Sequence, residues 1–128
     1  MREFSIELPF PARVLFPNAR PNRFQKAREV KLHRYWAYVQ TLAANVGECC
    51  PESIIEYRIV YTPKTNRRRD EDGVISSCKS YLDGVAQALG IDDHIFRHRG
   101  TEALPAKAPG NLVLTFSWEE KNDTLDEN

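Results

Sequence analysis

The chain has 128 residues, of which 41% are hydrophobic and 28% are charged, and its formal net charge is zero. These values are typical of one soluble globular domain and exclude a disordered or low-complexity chain. The sequence contains no apolar run of bilayer length and no signal-peptide pattern. We therefore expect a cytoplasmic protein without a membrane partner.

The zero net charge hides an uneven distribution. Residues 119–128 contain five acidic residues and one lysine, which leaves a net charge of +4 on residues 1–118. We expect this last segment to form an acidic, flexible tail to a domain spanning residues 1–118. Between residues 13 and 34 a single acid, Glu29, faces seven basic residues: Arg13, Arg20, Arg23, Lys26, Arg28, Lys31 and Arg34. Such a basic surface is typical of a nucleic-acid-binding protein.

The chain opens with a short predicted strand near residues 2–8, where apolar and polar residues alternate. The proline-rich segment that follows, residues 9–22, is predicted to be extended rather than helical. Asn18, Arg20 and Arg23 provide polar and guanidinium groups suited to phosphate. A simple capped loop is the alternative, with Asn22 as the N-cap of the next helix.

The longest helix is predicted from about Arg23 to Val46. One arc is apolar and is expected to face the core; it comprises Leu32, Tyr35, Trp36, Val39, Leu42, Ala43 and Val46. Lys26, Lys31 and Arg34 lie beside or opposite this arc, where they can contact a nucleic-acid backbone. The aromatic residues can stack on bases, but at helical spacing core packing is favoured.

Three more strands and one more helix complete the prediction. Residues 53–62 and 112–118 are the clearest strands, 94–99 form a short strand, and 73–90 form the second helix. The order β-α-β-α-β-β predicts a small single α+β domain, with a mixed or antiparallel sheet and two main helices.

The cysteines and histidines show no zinc-binding pattern. Cys49, Cys50 and Cys78 are expected to be reduced thiols. His33, His94 and His98 have no partner at zinc-ligand spacing and are interpreted as surface or phosphate-contacting groups.

Acidic and basic residues meet between Arg67 and Asp93. If Asp70 and Asp72 end a strand, their side chains leave the same face. Mg²⁺ suits such a pair, because it takes oxygen ligands from one or two carboxylates, waters and substrate phosphate. Arg67, Arg68 and Arg69 precede the acids and can hold phosphate.

On a helix over 73–90, Lys79 lies about two turns after Asp72 and on the same side. There its ammonium group can stabilise charge that develops on a phosphate. Asp92 and Asp93 follow the helix and can return to the first acidic pair. A solvated turn and a surface lysine are the alternative interpretation, and the residues alone leave both open.

The segment 67–93 resembles the signature of RusA-type Holliday junction resolvases, small endonucleases of phages and prophages. It contains arginines, an Asp-x-Asp pair, a helical lysine, an aspartate one turn later and a closing Asp-Asp pair. The opening LPFPARVLFPNAR resembles the proline-rich start of that family, which ends in an asparagine, here Asn18.

The resemblance implies a Mg²⁺-dependent nuclease, with Mn²⁺ as a possible substitute and no organic cofactor. It makes Asp70, Asp72 and Asp93 metal ligands, Asp92 a further candidate ligand, and Lys79 the catalytic lysine. It also implies a cytoplasmic homodimer, of bacterial or phage origin, that acts on branched DNA. Two positions depart from the family: Gly73 replaces a common asparagine, and the lysine lies three residues later than in some members.

Two other functions stay open. A non-catalytic branched-DNA-binding module would bind junctions without nicking them. A metal-dependent nucleotide phosphohydrolase would turn over mononucleotides and show weak salt dependence, whereas a junction-binding protein loses affinity steeply with salt.

Overall fold

The computed structural model describes residues 1–20, 22–47, 54–67 and 70–119. Its elements in chain order are β1 (Arg2–Pro9), α1 (Arg23–Ala43), β2 (Ile55–Thr62), α2 (Glu71–Ser77), α3 (Lys79–Leu89), β3 (Phe96–Ala103) and β4 (Asn111–Trp118). Two short 3₁₀ turns span Arg13–Leu15 and Asp93–Ile95. The α+β class and the predicted order of elements are confirmed.

The four strands form one mixed sheet in the order β1-β4-β2-β3. β4 pairs antiparallel with β1 and with β2, whereas β2 pairs parallel with β3. The parallel pair requires a crossover, which α2 and α3 supply. The acidic residues Asp70 and Asp72 therefore lie at the start of this crossover.

One face of the sheet is buried beneath the helices. Alternate residues of the central strands fill the core: Ile55, Tyr57, Ile59 and Tyr61 of β2, and Leu112, Leu114, Phe116 and Trp118 of β4. Their neighbours along each strand are at least partly exposed, as in an antiparallel sheet with one solvated face. The alternation in the sequence predicted this arrangement correctly.

Helix α1 buries a different face from the one that its large apolar residues predicted. The buried residues are His33, Ala37 and Thr41. The two helices approach closely at this face, because a Cβ atom on Gly84 of α3 would lie 2.1 Å from the Arg34 carbonyl oxygen and 3.0 Å from the Ala37 Cβ atom. The backbones therefore meet closely, and most of the predicted core arc faces solvent; of its members Val46 is buried and Trp36 packs partly against the core.

The predicted helix over 73–90 is divided at Cys78. The Ser77 hydroxyl donates to the Val74 carbonyl, the acceptor that the Cys78 N–H would use in a continuous α-helix. The Cys78 N–H bonds to the Ile75 carbonyl instead. α3 then ends at Gly90, which adopts a left-handed conformation as predicted for a C-terminal glycine.

Several smaller predictions need correction. Residues 9–22 are not wholly extended, because Arg13–Leu15 form a 3₁₀ turn. β3 starts after a 3₁₀ turn and continues to Ala103, beyond the short strand predicted at 94–99.

Asn22 caps α1 as predicted, accepting from the N–H groups of Phe24 and Gln25. Cys49, Cys50 and residues 120–128 of the predicted tail lie outside the described residues.

Within the part of the chain that the structure describes, none of the helices has the length and apolar character needed to span a bilayer.

Candidate active site

An open groove of about 1040 Å³ lies between the N-terminal loop and the start of α2. Asp70, Asp72, Gly73 and Ser76 line one side. The other side is lined mainly by the loop, and the polar and charged groups around the groove are Arg13, Asn18, Arg20, Gln25, Lys64 and Arg67. The sequence-predicted residues Asp70, Asp72, Asn18, Arg20 and Arg67 therefore share one site.

Asp70 and Asp72 are not the end of a strand, as the sequence analysis expected. Asp70 is the N-cap of α2, and its Oδ1 atom lies 3.3 Å from the Asp72 amide nitrogen, from which it accepts a hydrogen bond. An N-cap aspartate satisfies amide groups that a helix start leaves unpaired. Both carboxylates are exposed and line the same groove, so the expected shared direction arises from a helix start.

Gly73 lies beneath the N-terminal loop. A Cβ atom at this position would be 3.6 Å from the Phe16 ring and 3.9 Å from Pro17, which is ordinary contact. The atoms beyond Cβ of an asparagine would meet these two residues. Gly73 therefore lies where a longer side chain would contact the N-terminal loop.

A buried histidine holds the loop against α1. The Ala12 N–H donates to His33 Nε2 at 3.1 Å, and the His33 Nδ1 atom lies 2.8 Å from the Glu29 carbonyl oxygen. The ring is therefore neutral with its proton on Nδ1. Burial lowers the pKa of His33, although Glu29 opposes this shift. The prediction that His33 lies on the surface is wrong. His94 and His98 are exposed, as predicted.

Lys79 belongs to a second charged cluster. Its Nζ atom lies 3.6 Å from Asp83 Oδ1 and 3.5 Å from Asp93 Oδ2. Burial raises the pKa of Asp83, and a hydrogen bond with Asp93 raises it further, while Lys79 lowers it. The resemblance implies that Lys79 and Asp93 join Asp70 and Asp72 in one site, whereas in the structure they pair with each other and neither lines the groove. We name Lys79, Asp83 and Asp93 the lysine cluster.

Asp92 and Asp93 have separate roles. The Asp92 side chain accepts a hydrogen bond from the His94 N–H at 3.1 Å and caps the 3₁₀ turn Asp93–Ile95. This backbone bond, with the His94 side chain, lowers the pKa of Asp92. Asp93 instead faces Lys79. The structure therefore gives the adjacent acids different partners.

The remaining predicted DNA contacts divide into two groups. Arg68 and Arg69 lie outside the described residues. Arg23, Lys26, Lys31 and Arg34 are exposed on α1 and do not line the groove. Sequence reasoning missed Arg13, Gln25 and Lys64 as lining residues, and it noted Asp83 as the aspartate one turn after the lysine without giving it a role. The four-residue spacing of Lys79 and Asp83 is the signal that indicates their helical pairing.

The donors in the groove fit a small oxygen-liganded cation only in part. Asp70 and Asp72 provide two carboxylates, and Mg²⁺ commonly binds proteins through one or two carboxylates with waters and phosphate oxygens. Within residues 1–20, 22–47, 54–67 and 70–119, no three His, Cys, Asp or Glu side chains lie close enough together to hold a metal. Asp93, the third ligand that the resemblance implies, lies 3.5 Å from Lys79 in the structure and does not line the groove.

Comparison with known proteins gives one relative above 30% identity. The chain is 33% identical over 115 residues to an uncharacterized protein of Xylella fastidiosa (strain Temecula1 / ATCC 700964), a match that covers 88% of this chain and 75% of the relative. The chain belongs to the family of this Xylella protein. Because the Xylella protein is itself uncharacterized, membership of its family assigns no activity.

The other two comparisons give no function for this chain. No protein-family model matches the sequence. The crystal structure of hydrogenase maturation protein HypE in complex with ATP aligns with 95% of this chain, at 11% identity and a TM-score of 0.36, and the chain spans only 31% of HypE. A similarity this weak supports neither a shared fold nor a shared ligand. The resemblance to RusA-type resolvases stays a prediction.

Proposed function

We propose that this protein is a structure-specific endodeoxyribonuclease that resolves four-way DNA junctions by Mg²⁺-dependent hydrolysis of phosphodiester bonds. One observation carries the proposal: the groove combines the carboxylates of Asp70 and Asp72 with cationic side chains, among them Arg13, Arg20 and Lys64. Such a site can hold a metal and a phosphate backbone side by side.

The residues would divide the chemistry between them. Asp70 and Asp72 would hold Mg²⁺, which supplies water activation and charge stabilisation when bound. Arg13, Arg20 and Lys64 would bind the DNA backbone, and Asn18 would donate a hydrogen bond to it. Lys79 is exposed and lies outside the groove lining, and it would balance charge near the scissile phosphate when DNA extends from the groove to the lysine cluster.

A homodimer is part of the proposal. A four-way junction requires two symmetric nicks, and a two-fold pair of grooves would supply one site for each. Junction shape would then decide recognition before local sequence does, because backbone contacts carry no sequence information.

The test compares cleavage of a synthetic four-way junction with a linear duplex of the same sequence, with and without Mg²⁺. We expect paired nicks in the junction only, and only with metal. Asp72→Asn should reduce the cleavage rate by roughly 100-fold or more, since it removes half of the carboxylate pair. Glu71→Gln is the matched control, because Glu71 is an exposed neighbour that does not line the groove; it should cleave at the wild-type rate.

Three outcomes would redirect the proposal. Binding without cleavage, unaffected by Asp72→Asn, would favour the non-catalytic DNA-binding module. Turnover of mononucleotides with weak salt dependence would favour the nucleotide phosphohydrolase. Equal loss of activity in Glu71→Gln and Asp72→Asn would remove the specific role of the groove acids.

A further inference from the structure

Helix α1 carries a row of large apolar side chains on its solvent side. Leu32 is 38% exposed, Tyr35 61%, Val39 38% and Leu42 52%. They follow one another at intervals of three, four and three residues, so they form one continuous stripe. We call these four residues the α1 stripe.

The α1 stripe lies on the side of the helix opposite its buried face. His33, Ala37 and Thr41 define that buried face. At 100° per residue, the mean direction of the α1 stripe is roughly 180° from theirs. The helix therefore has two opposite faces that can pack, and the described residues of one chain cover only the face of His33, Ala37 and Thr41. Exposed apolar rows of this kind mark surfaces that contact another protein.

The geometry points to a second copy of this chain as the occupant: we propose that the α1 stripes of two copies pack together with the helices antiparallel. The stripe is symmetric about residue 37, so Leu32 would pack against the partner's Leu42 and Tyr35 against the partner's Val39. A spacing of three and four residues is the seam of a two-helix packing. An isologous contact of this kind closes with two-fold symmetry.

Charge selects the antiparallel orientation. The N-terminal half of α1 contains five basic residues, Arg23, Lys26, Arg28, Lys31 and Arg34, whereas residues 35–46 contain no charged residue. Parallel helices would place Arg28 and Lys31 beside their own copies, which is repulsive. Antiparallel helices place each basic half against the partner's uncharged half.

The helix ends favour the same orientation. The first turn of α1 has no acidic residue and the last turn has no basic residue, so no charged side chain of the helix itself complements the dipole at either end. In the antiparallel register Arg28 would lie beside the C-terminal end of the partner's helix. A cation is favourable there, because the last carbonyl groups carry partial negative charge. A polyanion would meet the basic half but would leave the apolar half uncovered.

This inference assigns a surface, an orientation and a register, which the proposed nuclease function leaves undefined. It holds whether or not the protein cleaves DNA. None of the four stripe residues lines the acidic groove, so the packing of the two stripes does not itself occupy it.

Sedimentation equilibrium of the full chain tests the assembly. The wild type should be dimeric, and Val39→Lys should weaken the dimer by roughly tenfold or more, because it places an ammonium group in an apolar seam. Leu104→Lys is the matched control, since Leu104 is 41% exposed, close to the 38% of Val39, and lies outside α1. It should leave the dimer intact. A monomeric wild type, or a dimer equally stable in Val39→Lys, would overturn the proposal.

Disulfide cross-linking tests the register, in a Cys49→Ser, Cys50→Ser background. A mixture of Leu32→Cys and Leu42→Cys proteins should form a cross-linked heterodimer under mild oxidation. Leu32→Cys alone should not, because antiparallel helices separate the two copies of residue 32 by about 15 Å, which a disulfide cannot span. The reverse pattern would indicate parallel helices and overturn the proposal. Assays of junction cleavage on the same cross-linked proteins distinguish the dimer proposal from the nuclease proposal. If the dimer forms as expected but never cleaves a junction, only the nuclease proposal is contradicted.

Discussion

The two acidic regions of this protein are balanced in different ways. In the groove, Asp70 and Asp72 are exposed, and the cations lie around them on the N-terminal loop and after β2. In the lysine cluster, two carboxyl groups lie within 3.6 Å of one ammonium group and share a hydrogen bond. The groove can accept a cation, whereas the lysine cluster already contains one. The number and type of acidic residues in a region therefore do not show whether their charge is balanced by a metal ion or by a neighbouring lysine.

The first prediction separates the two regions by metal affinity. Asp72→Asn should weaken Mn²⁺ binding by roughly tenfold or more, because it removes one of two carboxylate ligands, and Asp93→Asn should weaken it by much less. Electron paramagnetic resonance of Mn²⁺ titrated into each protein measures both values. An equal loss in the two variants would show that Asp93 leaves Lys79 and joins the metal.

The sequence predicted the strands well because their burial alternates with a period of two. Each of the central strands has one apolar face and one mixed face, and only one register buries the apolar face. The pairing order of the strands does not follow from this alternation. It depends on contacts between residues far apart in the chain, such as Phe4 opposite Phe116.

Helix α1 shows where the sequence pattern fails. Four of its large apolar residues form the exposed stripe, and its buried face is made of Ala37, Thr41 and His33. The closeness of the Arg34 carbonyl to Gly84 decides this, and no pattern within α1 contains it. A glycine near the middle of a predicted helix is the signal for such close packing.

The sequence identified several residues that line the groove, but not which of the predicted site residues lie together. The sequence identified Asp70 and Asp72, yet their common direction comes from a helix start rather than a strand end. It placed Lys79 beside Asp72 by assuming one continuous helix, which Ser77 interrupts by bonding to the Val74 carbonyl. Lys79 pairs instead with Asp83 and Asp93.

The second prediction concerns the pH dependence of stability that arises from His33, which holds one wall of the groove. The pKa of His33 is lower in the folded protein than in the unfolded chain, where it is about 6.5. The neutral ring therefore contributes fully to stability above about pH 6.5. This contribution decreases as the pH falls toward and through the folded-state pKa. Protonation would also remove the acceptor for the Ala12 N–H, which fixes the loop that forms the groove wall. Urea unfolding from pH 8 to pH 5 measures the effect.

The His33→Gln variant is the control for this titration, because glutamine does not ionise in that range. The wild type should lose stability relative to His33→Gln as the pH falls below about 6.5. Parallel curves for the two proteins would show that His33 does not titrate between the folded and unfolded states.

The smallest expected effect is in the lysine cluster. The pKa of Asp83 is raised in the folded protein, so its charged form is less favourable there than in the unfolded chain, despite the ion pair with Lys79. Asp83→Asn should therefore leave the free energy of unfolding at neutral pH unchanged or increase it by less than about 1 kcal/mol. The difference in the free energy of unfolding between Asp83→Asn and the wild type should vanish at low pH, where the Asp83 carboxyl of the wild type is protonated. A clear loss of stability in Asp83→Asn at neutral pH would mean that the ion pair with Lys79 outweighs the cost of burying the Asp83 charge. The lysine cluster would then stabilise the fold.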